Sequence, residues 1–150
     1  MQTLATIGYE GSVLPDFINT LISAGIKRLI DIREVPLSRK QGFSKRALSE
    51  ALSGAGLHYA HLRALGDPKA GREAARKGDR HTFVRIYSNH LAGPDPQAAL
   101  DLAEAYASEA PACLMCFERD YLDCHRNIVA NTLAERRDFR VWHLTVPAAF

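Results

Sequence analysis

The 150-residue sequence is poor in cysteine (three), has a single tryptophan and contains no long apolar run. Each shortage excludes something. Three cysteines is a low and odd count, so a secreted disulfide framework is not expected and the thiols are read as reduced. No run approaches the roughly 18 apolar residues a membrane-spanning helix needs. Charge of one sign is also scarce, with 19 Lys and Arg against 17 Asp and Glu for a net +2. That excludes a polybasic tail on nucleic acid but leaves a local basic patch open. Met1 to Gly8 has neither a charged n-region nor a long apolar h-region, so no signal peptide is expected. There is no internal repeat, no Gly-x-Gly-x-x-Gly and no Walker lysine, so no nucleotide cofactor is implied.

What is present is ordinary for a globular chain: 47% hydrophobic and 24% charged residues. A chain this long can bury a core without a staple. One domain over residues 1–150, in the cytoplasm, is expected.

Short apolar runs alternate with helical spacing. Strands are predicted at Leu4 to Gly8, Arg28 to Ile32, Leu57 to Leu62, Ala112 to Phe117 and Arg140 to Leu144. Helices are predicted around Leu14 to Ile22, after Ser44 as cap, over Phe83 to His90, after Asp95 with Pro96 at its start, and from near Cys124. On the helix after Asp95, Ala99, Leu102, Ala103 and Tyr106 are read as one face. Gly66 to Gly71 is read as a loop, and Pro147 to Phe150 as an unstructured or surface-packed tail. The alternation predicts an open, mostly parallel five-stranded α/β sheet with helices on both faces, Rossmann-like or flavodoxin-like.

The polar residues that strands and helices do not require gather behind strand ends. Glu10 and Ser12 follow the first strand. Asp31, Arg33, Ser38 and Arg39 follow the second, and His61 and Gly66 the third. Cys116, Glu118, Cys124, His125 and Arg126 follow the fourth. In a parallel sheet these ends share one edge, where open α/β proteins bind ligands.

Thr6-Ile7-Gly8-Tyr9-Glu10, Asp31-Ile32-Arg33 with Pro36-Leu37-Ser38-Arg39, His58-Tyr59 with Leu65-Gly66, and Cys116-Phe117-Glu118 with Cys124-His125-Arg126 carry a resemblance. Together they resemble the bacterial and archaeal family called domain of unknown function 488, over about Thr6 to Leu133. That family's first motif more often reads Gly-His-Ser, where this chain has Gly8-Tyr9-Glu10. The resemblance implies no particular reaction.

Cys113-Leu-Met-Cys116 invites a zinc reading, but residues i and i+3 on a strand face opposite ways. Cys113 is therefore read as core and no metal is assigned. Cys116 stands at a strand end before a helix start, where rhodanese-like and phosphatase-like enzymes keep a nucleophile. Their short glycine-bearing cradle is absent. Cys116 is open to two readings, nucleophile or packed strand end. Cys124, His125 and Arg126 at a helix N-terminus suit an anion, with Arg126 pairing to Glu118 or Asp31 as the structural alternative. Asp31 is read as bracing Arg33, and Glu118 as base or brace.

Lys27 to Arg46 holds seven basic and two acidic residues. Its loop can contact phosphates with Phe43 available for stacking, or fold Phe43 onto the core. The expected function is an enzyme binding a phosphate-bearing or other anionic small molecule. Cys116, Glu118 and His125 are its candidates for chemistry. Glu10, Ser12, Asp31, Arg33, Ser38, Arg39, Cys124 and Arg126 are its candidates for binding. The alternatives are a nucleic-acid-binding or nucleic-acid-modifying module and a Cys/His metal or redox protein. No cofactor and no membrane partner are expected.

Overall fold

A computed structural model describes residues 2–148. Five apolar stretches become strands: β1 (Gln2–Gly8), β2 (Arg28–Asp31), β3 (His58–His61), β4 (Ala112–Cys116) and β5 (Phe139–His143). They form one sheet of order β3-β2-β4-β1-β5 in which every pairing is parallel. Six helices complete the fold: α1 (Leu14–Ser23), α2 (Lys45–Gly54), α3 (Lys69–Arg76), α4 (Arg80–Leu91), α5 (Pro94–Glu109) and α6 (His125–Arg136). The expected open parallel α/β sheet is what forms. Its strand order is neither of the two commonest doubly wound orders.

Both faces of the sheet are covered, which explains why central strand β4 is buried along its whole length. Side chains alternate along it. Cys113 and Met115 join Phe17 and Leu21 of α1 and Leu48 and Leu52 of α2 on one face. Ala112 and Leu114 join Phe83, Tyr87, Leu100, Val129 and Leu133 of α4 to α6 on the other. Cys113 is thus a core residue, and burial raises its thiol pKa.

Several local expectations are corrected. The stretch read as a loop after Gly66 contains α3, which buries only Gly71 and Ala74. With no large apolar residue facing inward, helical spacing has nothing to reveal it. Helix α5 starts earlier than expected, with Gly93 as cap and Pro94 first. Its buried face carries Ala99, Leu100, Ala103 and Ala107, while Leu102 is exposed. Ser44 caps α2 by position only, because its hydroxyl bonds the Ser38 backbone instead. Of the predicted tail, residues 149–150 lie outside the described residues.

Among the described residues, no helix is long and apolar enough to cross a membrane.

Candidate functional site

The chain leaves β1 and β2 for helices on one face and leaves β4 for α6 on the other. Since β4 lies between β1 and β2, the segments diverge at its carboxyl end and open a crevice. Register brings the ends together: Gly8 lies beside Cys116, and Asp31 beside both Met115 and His61. A cleft of about 680 Å³ opens there. Cys116, Glu118, His125, Arg33, Ser38 and Arg39 all line it, joined by Tyr9, Glu34, Asp67, Arg72 and Arg76.

Asp31 and Arg33 form the wall's rigid part. Arg33 donates from Nη2 to Asp31 Oδ2 at 2.7 Å and from Nε to Oδ1 at 2.9 Å. Its Nη1 reaches the Phe43 carbonyl at 2.7 Å and the Tyr9 hydroxyl at 3.2 Å. Burial works against the charged form, but the Asp31 carboxylate and Tyr9 together hold Arg33 above its usual pKa. Tyr59 donates to Asp31 Oδ2 at 2.5 Å, and burial followed by the Asp31 charge raises its phenol pKa. His61 Nε2 bonds the Arg33 carbonyl at 2.7 Å. Asp31 therefore braces, as its spacing from Arg33 suggests.

Arg72 is held by Glu34 at 2.9 Å and by the Asp67 carbonyl at 2.7 Å. Arg39 and Arg76 are exposed and have no carboxylate within ion-pair distance among the described residues.

Behind the cleft sits Arg126, fully buried at the start of α6. Nε donates to Thr6 Oγ1 at 3.1 Å, Nη2 to the Arg119 carbonyl at 3.2 Å, and Nη1 to the Glu118 carbonyl. Nη1 also lies 3.1 Å from Cys116 Sγ. Burial lowers the Arg126 pKa. Gly8 leaves room for this crossing: a Cβ there would overlap the Glu118 backbone and approach Arg126 Nη1 to 2.8 Å. Cys124 caps α6, and its sulfur joins that of Cys116 in a disulfide. The eight-residue separation spans a loop that folds back over the strand end.

His125 donates Nε2–H to the Ile32 carbonyl at 2.6 Å, and burial pushes its pKa down to about 4. It is neutral at pH 7, with Nδ1 free to accept. Glu118 is pushed up from the usual carboxylate range by burial. Cys116, Cys124 and Glu118 also offer donor atoms within 4.8 Å of one another. The guanidinium against Cys116 Sγ takes up a sulfur lone pair and adds a positive charge where a dication would sit.

Of the expected binding residues, Asp31, Cys124 and Arg126 are buried outside the cleft lining, and two more lie away from it. Glu10 is exposed and accepts the Arg119 N–H at 3.0 Å. Ser12 is buried and donates to the Tyr9 carbonyl at 2.9 Å. The sequence reading missed Asp67, Arg72 and Arg76, all on or beside α3. Asp67 is 5% exposed and its Oδ1 has no partner. Burial pushes its pKa up to about 7. The signal available was the five basic residues between Asp67 and Arg80.

No curated protein and no solved structure matches the chain. A family model described as Domain of unknown function DUF488 matches residues 14–133. That span contains the Asp31, Pro36 to Arg39, Leu65-Gly66 and Cys116 to Arg126 motifs that build the cleft, and begins after Gly8-Tyr9-Glu10. The chain belongs to the family Domain of unknown function DUF488.

Proposed function

We propose that the protein is an enzyme whose cleft, at the carboxyl edge of the sheet, holds a phosphate-bearing or similarly anionic small molecule. The observation that carries this reading is the inequality among four arginines. Arg33 and Arg72 are neutralised by Asp31 and Glu34, whereas Arg39 and Arg76 face the same cleft without carboxylate partners. Unpaired guanidinium forks at the rim of a concave site match the geometry of phosphate oxygens. In this reading Arg39 and Arg76 grip the anion and Ser38 adds a hydroxyl. Arg33 and Asp31 form the fixed floor, and Cys124 and Arg126 set the wall behind. Cys116, Glu118 and His125 stand where chemistry on the ligand would occur.

Isothermal titration with inorganic pyrophosphate tests it. Arg39→Ala/Arg76→Ala is expected to weaken binding at least about tenfold, which is ~1.4 kcal/mol, with unchanged thermal stability. Equal affinity in the double variant overturns the assignment.

Nucleic acid is the other source of phosphate. Phe43 weighs against it, because that ring is fully buried and stacks on Tyr9 at 4.6 Å, leaving no platform for a base. The same titration with a single-stranded oligonucleotide separates the two. Steeply salt-dependent oligonucleotide binding that exceeds pyrophosphate binding favours the nucleic-acid reading.

A further inference from the structure

Arg126 presents an electrostatic imbalance that anion binding in the cleft does not use. It is fully buried, and no carboxylate stands within ion-pair distance of it among the described residues. A buried guanidinium without a counter-charge is costly. Carbonyls of Glu118 and Arg119 and the Thr6 hydroxyl satisfy its N–H groups, yet all are neutral. The one group touching it that can gain a full negative charge is Cys116 Sγ, 3.1 Å from Nη1. In the disulfide that sulfur is neutral, whereas reduction makes it a thiolate and supplies the missing charge.

Cys124 is placed to complement it. It caps the twelve-residue helix α6, and the Arg126 backbone N–H points at its sulfur from 3.4 Å. Helix N-termini favour thiolates. His125 Nδ1 lies 3.6 Å from the same sulfur and, with Nε2–H committed to Ile32, is an acceptor. Both cysteines are buried, and of the two only Cys116 borders the cleft. Cys113 faces the opposite side of the sheet and takes no part.

We infer that Cys116 and Cys124 are a thiol–disulfide exchange pair, with Cys116 as the attacking thiolate and Cys124 as the resolving one, acting on small anionic disulfides. The Cys116 thiolate attacks one sulfur of a disulfide R–S–S–R′. A Cys116–S–S–R bond forms and R′–S⁻ leaves. The Cys124 thiol gives its proton to water, and its thiolate then attacks Cys116 Sγ and releases R–S⁻. The chain loses two electrons, the substrate gains them, and two protons convert the released thiolates to thiols. A second low-molecular-weight thiol pair returns the protein to the dithiol by the reverse steps. Arg126 stabilises the Cys116 thiolate, which raises the fraction of the attacking form at neutral pH. The redox step stands on the cysteines and Arg126 alone. The preference for an anionic disulfide rests on the arginine cleft proposed above.

The reduced full-length protein is treated with glutathione disulfide, and adducts are mapped by mass spectrometry. In Cys124→Ser, one glutathione is expected on Cys116. In the unaltered chain the expected product is the Cys116–Cys124 disulfide with no retained adduct. Alkylation of Cys116 in Cys124→Ser is expected to have a midpoint pH below the ~8.5 of a free thiol. Arg126→Met moves that midpoint up by at least about one unit, slowing reaction at pH 7 roughly tenfold. If Arg126→Met does not fold, the midpoint in Cys124→Ser decides alone. A midpoint at or above ~8.5, or an adduct confined to Cys113, overturns the proposal. So does a stoichiometric metal that blocks both thiols. Cystamine, a cationic disulfide, is the control. Faster reaction with glutathione disulfide supports the stated substrate class. Equal rates overturn the preference for anions while leaving the exchange pair standing.

Discussion

At the scale of single residues, the cleft is organised by which charges are matched and which are not. Asp67 is the sharpest case. Its carboxyl is buried beside Arg72 with one oxygen unpartnered, and burial lifts its pKa from 3.8 to about 7. Between those values the folded chain holds a proton that the unfolded chain has released. Its stabilising share is therefore full below about pH 4 and lost as pH rises toward 7. Asp67→Asn is expected to be near neutral at pH 4 and stabilising by roughly 2 kcal/mol at pH 8, read by urea denaturation at both pH values. The same group tunes the ligand. Sulfate keeps its charge across this range, and its affinity is expected to fall several-fold from pH 6 to pH 8 as Asp67 ionises, with Asp67→Asn flattening the profile. Gly8 makes a simpler demand. Gly8→Ala places a methyl in the Glu118 backbone and beside Arg126, and a loss of about 2–3 kcal/mol in denaturant unfolding is expected.

Elements carry the next level. Strands β1, β2 and β4 were legible because buried parallel strands read as short apolar runs, and α6 because Cys124 precedes helical spacing. Helix α3 was not legible, since it turns only Gly71 and Ala74 inward. Gly71 looks like a loop residue in the sequence, yet a Cβ there would overlap the Asp67 carboxylate. The glycine that hid the helix is the one that lets it pack against the cleft. Phe43 shows the opposite effect. A basic loop with one aromatic suggests stacking on a base, but the ring fills a pocket between Tyr9 and Phe17 and secures the loop that carries Ser38 and Arg39. Phe43→Ala is expected to cost about 3–5 kcal/mol in calorimetry or denaturant unfolding.

The whole molecule supplies what no segment holds. Separate segments converge because all five strands are parallel, and that convergence was readable before the strand order was known. The order itself depends on contacts between distant residues and leaves no local trace. It puts β4 between β1 and β2, which sets Arg126 against Gly8 and Cys116, buried behind the crevice where helix directions part. The same arrangement leaves Glu10 and Ser12 out of the cleft and brings in Arg72 and Arg76 from α3. The bland net charge of +2 thus conceals four arginines around one cavity. The most direct test of that cavity as an anion site is a crystal soaked in tungstate, an electron-dense phosphate analogue, with anomalous diffraction recorded. The account predicts a peak bridging the Arg39 and Arg76 guanidinium groups near Cys116, absent in Arg39→Ala/Arg76→Ala. Tungstate bound elsewhere with this cleft empty, or an unchanged peak in the double variant, would contradict it.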